Sequence, residues 1–203
     1  MRTDRRKIFY YRYKKINYIE NTANATIETD IIATQDTKVE IDFEAAENKA
    51  NYTFLHGRNV FYIGSGSTDT INFVQLGNVN ISSYANYNKM KRHTYIIGCK
   101  YGFSVDGLSL YGGISGDFVG QKAIAFVQGY KGKCYGVKIS EGNQLVRHFI
   151  PVKRKSDGVI GMYDLVGRKF YTSPNGVAFM GGVKSKVFIA SLFEPAMAER
   201  RVA

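Results

Sequence analysis

Between residues 39 and 44 the chain alternates strictly: Val39, Ile41 and Phe43 are apolar, and Glu40, Asp42 and Glu44 are acidic. Successive side chains of an extended chain point to opposite faces, so this run predicts a β-strand with one buried face and one wet, acidic face. Shorter β-rich runs follow at 52–55, 59–63, 71–74, 94–97, 103–105, 123–127, 135–139, 147–150 and 170–171, broken by Gly, Asn or Asp. Strands this short, with turn residues between them, predict an all-β antiparallel two-sheet sandwich. Val39, Ile41, Phe43, Val137, Ile139 and Phe149 are its expected core. Residues 7–19, Ile8-Phe9-Tyr10-Tyr11-Arg12-Tyr13-Lys14-Lys15-Ile16 at their centre, alternate imperfectly and predict an aromatic strand. The one helix expected is short, near 194–201. Before it, Val187-Phe188-Ile189-Ala190-Ser191-Leu192-Phe193 is apolar on both strand faces. A water-exposed strand would not be, so this run either lies in the domain's own sheet or adds to a neighbouring chain.

A chain of 203 residues suits one such domain with extensions, and 15 Tyr with 13 Phe supply a core. Cys99 and Cys134 each fall in an expected strand and read as small buried apolar residues. Two thiols with His56, His93 and His148 scattered lack zinc-ligand spacing, so neither a metal nor a cofactor is expected. The basic N-terminus lacks the apolar stretch of a signal peptide, and no run approaches the roughly 18 residues of a membrane span. The expectation is a protein made in a cytoplasm that stays there or leaves inside an assembled particle.

Charge changes this picture. The formal net charge is +11, and Arg2, Arg5, Arg6, Lys7, Arg12, Lys14 and Lys15 crowd the first fifteen residues against Asp4 alone. Lys153-Arg154-Lys155 form a second cluster. Such excess points to an acidic partner. No recognition helix, zinc-finger spacing or RNP-type strand accompanies it, so an acidic protein surface is expected rather than nucleic acid.

Two motifs carry candidate chemistry. Gly64-Ser65-Gly66-Ser67-Thr68 has the glycines of a phosphate cradle but no P-loop Lys, and reads as a hairpin turn. Glu40-Ile41-Asp42-Phe43-Glu44 is similar to the Glu-x-Asp-x-Glu strand of laminarinase-type glycoside hydrolases. That resemblance implies a retaining hydrolase with Glu40 as nucleophile, Glu44 as acid/base and Asp42 tuning them. Retaining chemistry needs carboxyls about 5–5.5 Å apart, whereas Cα atoms four residues apart on a strand are separated by about 13 Å. The chain has no Trp, the usual sugar platform. Alternating acids on a wet strand face are the expected reading, and Arg147, Asp164 and Arg168 are expected to make structural ion pairs.

The last quarter of the domain reads Gly132-Lys133-Cys134-Tyr135-Gly136-Val137-Lys138-Ile139, then Leu145-Val146-Arg147-His148-Phe149-Ile150-Pro151, then Gly161-Met162-Tyr163-Asp164-Leu165-Val166-Gly167-Arg168-Lys169-Phe170-Tyr171. With Tyr18-Ile19-Glu20-Asn21-Thr22 near the start, it resembles laminin-G-like (concanavalin A-like) jelly-roll domains of phages, prophages and gut-bacterial surface proteins. The resemblance implies a jelly-roll over 18–182, flanked by a basic aromatic segment at 1–17 and an extension at 183–203. It implies a non-enzymatic bacteriophage virion protein, a capsid decoration, head-fibre or tail-associated module, or alternatively a glycan-binding module. On this reading both ends dock on other virion proteins or on copies of the chain. Arg2, Arg5, Arg6 and Lys7 act at one end, and Phe188, Ile189, Leu192 and Phe193 at the other.

Overall fold

The structure, a computed structural model, describes residues 5–21, 24–46, 52–65, 73–82, 88–128 and 131–182. The chain opens with a helix, α1 (Arg5–Arg12), and continues through β1 (Tyr13–Lys15), β2 (Tyr18–Asn21), β3 (Ile27–Thr34), β4 (Thr37–Ala45), β5 (Tyr52–Gly57), β6 (Phe61–Ser65), β7 (Phe73–Leu76) and β8 (Val79–Ser82). Then come β9 (His93–Gly98), β10 (Gly102–Val105), β11 (Leu108–Tyr111), β12 (Val119–Phe126), β13 (Gly132–Glu141), β14 (Gln144–Arg154), β15 (Ile160–Asp164), β16 (Lys169–Tyr171) and β17 (Met180–Gly182).

Two antiparallel sheets form a sandwich of the jelly-roll kind. The large sheet runs β11-β10-β9-β4-β13-β14-β15-β16, with β1 paired to β14, β2 to β13 and β17 to β2. The small sheet runs β3-β12-β5-β6-β7-β8. In the large sheet Ile41 lies opposite Val137 and Val137 opposite Phe149, while Val39 faces Ile139, so adjacent strands bury one continuous apolar row. All six expected core residues are at most 1% exposed. Aromatic rings then cross between the sheets. Phe43 stacks on Phe54 of the small sheet with centroids 4.7 Å apart, and Phe126 meets Phe149 at 5.3 Å. Cys99, which lies in the turn after β9 and not in a strand as expected, and Cys134 on β13 are buried free thiols, and burial pushes the Cys99 thiol up to about 11.

The N-terminal expectation is corrected. Residues 7–19 do not form one strand: α1 covers 5–12, β1 follows, and Ile16 and Asn17 break the chain before β2. The reason is a single distant ring. Phe9 and Tyr13 contact Tyr163 at 4.9 and 4.8 Å and each other at 5.6 Å. Residues four apart on a strand are separated by about 13 Å, whereas one helical turn brings them within about 6 Å. Only the helix lets both rings share Tyr163. The sheet thus begins at Tyr13, five residues before the expected Tyr18, and Tyr13–Lys15 pair within their own domain.

Five strands lie outside the expected runs, β3, β8, β11, β15 and β17; of these β8 and β11 are each the return limb of a tight hairpin. The β10–β11 turn carries Asp106 at φ 50° and Gly107 at φ 82°. A Cβ on Gly107 would meet nothing within 4 Å, so glycine is required there by backbone conformation alone. Gly64 and Ser65 end β6, which pairs antiparallel with β7, and the rest of the expected turn, with all of 66–72, lies outside the described residues. The apolar run 187–193 and the helix expected near 194–201 also lie outside them.

Phe43→Ala is expected to cost about 3–5 kcal/mol, because the void would sit between two closed sheets. Glu44→Ala removes a partly exposed ion pair and one hydroxyl contact and should cost about 1 kcal/mol. Urea midpoints of the two variants measure the difference.

Candidate functional site

β4 presents Glu40, Asp42 and Glu44 on the solvent face of the large sheet, as its alternation requires. Each carboxylate is met by a cation from a neighbouring strand or turn. Lys138 Nζ reaches Glu40 Oε1 at 2.5 Å, Arg92 donates to both Asp42 oxygens, and Lys133 Nζ reaches Glu44 Oε1 at 2.9 Å. Register explains the choice of partner, since β13 sets Lys138 opposite Glu40 and Lys133 opposite Glu44.

A β-bulge adds a fourth contact. Cys134 pairs with Phe43 and Gly136 with Asp42, so Tyr135 is an extra residue in β13. The sequence carries its trace: the buried positions Cys134 and Val137 are three apart, whereas unbroken alternation allows only even spacings. The bulge turns Tyr135 outward, where its hydroxyl donates to Glu44 Oε2 at 2.7 Å. The Arg92 guanidinium covers the Tyr135 ring at 4.0 Å, and Tyr18 packs against its edge at 5.5 Å.

This arrangement sets the chemistry of the acidic strand. Burial raises the Glu44 carboxyl, but hydrogen bonds from Tyr135 and Lys133 and the charges of Lys133 and Arg92 outweigh it, leaving Glu44 below its ordinary value. Burial and the Glu44 contact together push Tyr135 up. A general acid needs the opposite, a carboxyl raised towards neutrality. The depression beside Glu40 and Asp42, bounded also by Thr94, Lys138 and His148, has a volume of about 140 Å³. Small-molecule pockets are usually about 300–1,000 Å³. The sequence contained Arg92, Lys133 and Tyr135 but gave no sign that they would converge on β4.

Arg147 and Asp164 form a clasp. Arg147 donates to Asp30 Oδ1 on β3 through Nε and Nη2 (3.1 and 2.9 Å), and its Nε lies 3.4 Å from Asp164 Oδ2. Because β14 and β3 belong to different sheets, this cation ties the sandwich together at its rim. Asp164 is fully buried and accepts from the backbone N–H groups of His148, Val166 and Gly167. Arg168 stands apart, at φ 57° in the β15–β16 turn, and among the described residues it forms no ion pair.

Of the expected docking residues, Arg5, Arg6 and Lys7 lie in α1, whereas Arg2, Phe188, Ile189, Leu192 and Phe193 fall outside the described residues. Among the described residues no group of three His, Cys, Asp or Glu side chains is placed to hold a metal.

A second aromatic row crosses the small sheet, where His56 meets Tyr62 at 5.6 Å and Tyr62 meets Phe73 at 5.1 Å. His56 Nδ1 accepts the Arg58 backbone N–H at 3.1 Å, which requires the neutral ring at that nitrogen. Burial, then the Arg58 charge, lowers His56 to about 4.

Two predictions follow from these contacts. Asp164→Ala orphans three backbone donors and should cost at least about 3 kcal/mol, measured by chemical unfolding. His56 binds its proton less readily folded than unfolded, so its neutral form contributes fully above about pH 6.5. That contribution is lost as pH falls from about 6.5 to about 4. The urea midpoint should decline across this window, and His56→Gln should flatten the decline.

Comparison of the chain with protein-family models, with curated proteins and with solved structures finds no match, so the functional reading rests on the residues themselves.

Proposed function

We propose that this chain is a non-enzymatic structural module of a bacteriophage particle: a jelly-roll decoration, head-fibre or tail-associated protein. The observation that carries the non-enzymatic part is the neutralised acidic strand. Glu40, Asp42 and Glu44, the one run with the pattern of a catalytic site, are each committed to a cation, and Glu44 also to Tyr135. The particle assignment draws on the resemblance of 132–171 to phage laminin-G-like domains. Within that pattern Arg147 and Asp164 serve the scaffold. The sandwich displays its loops, and the two ends hold it to neighbouring subunits: Arg2, Arg5, Arg6 and Lys7 by charge, Phe188, Ile189, Leu192 and Phe193 by apolar burial.

A second reading, recognition of a surface glycan, is favoured by the His56–Tyr62–Phe73 row. Phe73 is 42% exposed there, a ring free to meet a sugar face.

Mass spectrometry of gradient-purified particles tests the first reading; the protein should co-purify with capsid and tail proteins in fixed proportion. Release of reducing sugar from soluble β-glucan, abolished in Glu40→Gln, would refute it. A glycan array read with the intact protein and with Phe73→Ala tests the second, which requires a signal that the substitution removes.

A further inference from the structure

The centre of the large sheet is charge-balanced, but one corner is not. β1 lies along the end of β14 with Tyr13 opposite Arg154, Lys14 opposite Lys153 and Lys15 opposite Val152. Lys14 and Lys153 therefore project side by side from one face, and like charges directly opposite on paired strands are destabilising. Tyr13, Lys15 and Arg154 belong to the other face. Among the described residues, Arg12, Lys14, Lys15 and Lys153 form no ion pair with a carboxylate. Only Arg154 has one, with Asp157 at 2.6 Å, while Lys155 Nζ donates to the Tyr10 carbonyl at 2.6 Å. Between α1 and the β14–β15 turn opens a cleft of about 680 Å³, lined by Tyr11, Arg12, Tyr13, Arg154, Lys155 and Ser156. Beside it Tyr10 is 67% and Tyr11 83% exposed.

We infer that this corner is a docking surface for an acidic segment of a neighbouring protein subunit, an inference that rests on the particle reading above. Three observations choose this occupant. The repelling Lys14–Lys153 pair costs the free chain stability that a carboxylate placed between the two ammonium groups restores. The cations stand on both faces of the sheet corner, as a socket closing around it requires, whereas a nucleic-acid strand follows a track along one groove. The consecutive Tyr10, Tyr11 and Arg12 are of the residue types that dominate protein–protein hot spots, and all three are exposed.

The test uses the full chain, poly-L-glutamate as the acidic probe and oligodeoxythymidylate of equal charge as its rival. Lys14→Glu is the informative variant, because it replaces a cross-strand repulsion with an attraction. Its Tm should rise by about 1–3 °C while its affinity for polyglutamate falls about tenfold. Lys122→Glu, the same charge change on exposed β12 of the small sheet, should alter affinity by no more than about twofold. The wild-type complex should weaken as salt rises.

In solution, any of these results overturns the inference: no polyglutamate binding at low salt; equal losses in Lys14→Glu and Lys122→Glu; tighter binding of the oligonucleotide; or a lower Tm in Lys14→Glu. The two readings fail separately. Polyglutamate binding that maps to this corner, in a protein absent from purified particles, sinks the particle reading and leaves the acidic-partner surface standing. A Lys14→Glu protein incorporated into particles as fully as wild type sinks the corner and leaves the particle reading.

Discussion

Pairing of β4 with β13 is the constraint on which the rest of the structure depends. One register, with Val39 opposite Ile139 and Ile41 opposite Val137, decides at once which side chains are buried and which ions meet. A slip of a single residue would turn the acids of β4 into the core and its apolar residues into water, so burial itself enforces the register. The bulge at Tyr135 is the one departure. It lets Cys134 and Val137 both face inward despite their odd spacing, and it releases Tyr135 to bond Glu44. The charged face is therefore a product of core packing.

The same logic holds the two sheets together. Phe43 on Phe54 and Phe126 on Phe149 fill the interior, but apolar contact is non-directional and does little to fix how the sheets are set at their rim. Arg147 supplies direction there, reaching from β14 to Asp30 on β3 and to the buried Asp164. Asp164 orders the β15–β16 turn through the N–H groups of Val166 and Gly167 and ties it to β14 through that of His148, so the clasp and the turn stand or fall together.

Charge is distributed unevenly by this scaffold. At the centre of the large sheet acids and bases are interleaved strand by strand, and the surface is locally neutral. At the β1–β14 corner the pairing that satisfies the backbone brings two lysines face to face. Backbone hydrogen bonds and the Phe9–Tyr13–Tyr163 cluster outweigh that repulsion in the free chain. Both ammonium groups lie open to solvent on one face of that corner, where a partner of opposite charge can reach them.

By itself the sequence determined the all-β class, most of the strands, the burial of Phe43, Phe149 and both cysteines, and the acidic face of β4. These follow from alternation, a property of adjacent residues that each strand expresses without knowing its neighbour. Tertiary structure alone decided what each charge would meet: Arg92 for Asp42, Lys133 and Tyr135 for Glu44, Asp30 for Arg147. It also made residues 5–12 a helix, because the ring that favours that conformation, Tyr163, lies some 150 residues further along the chain. Local pattern fixes which way a side chain points. Which partner waits there is set by strand order and register, and these depend on contacts between residues far apart in sequence.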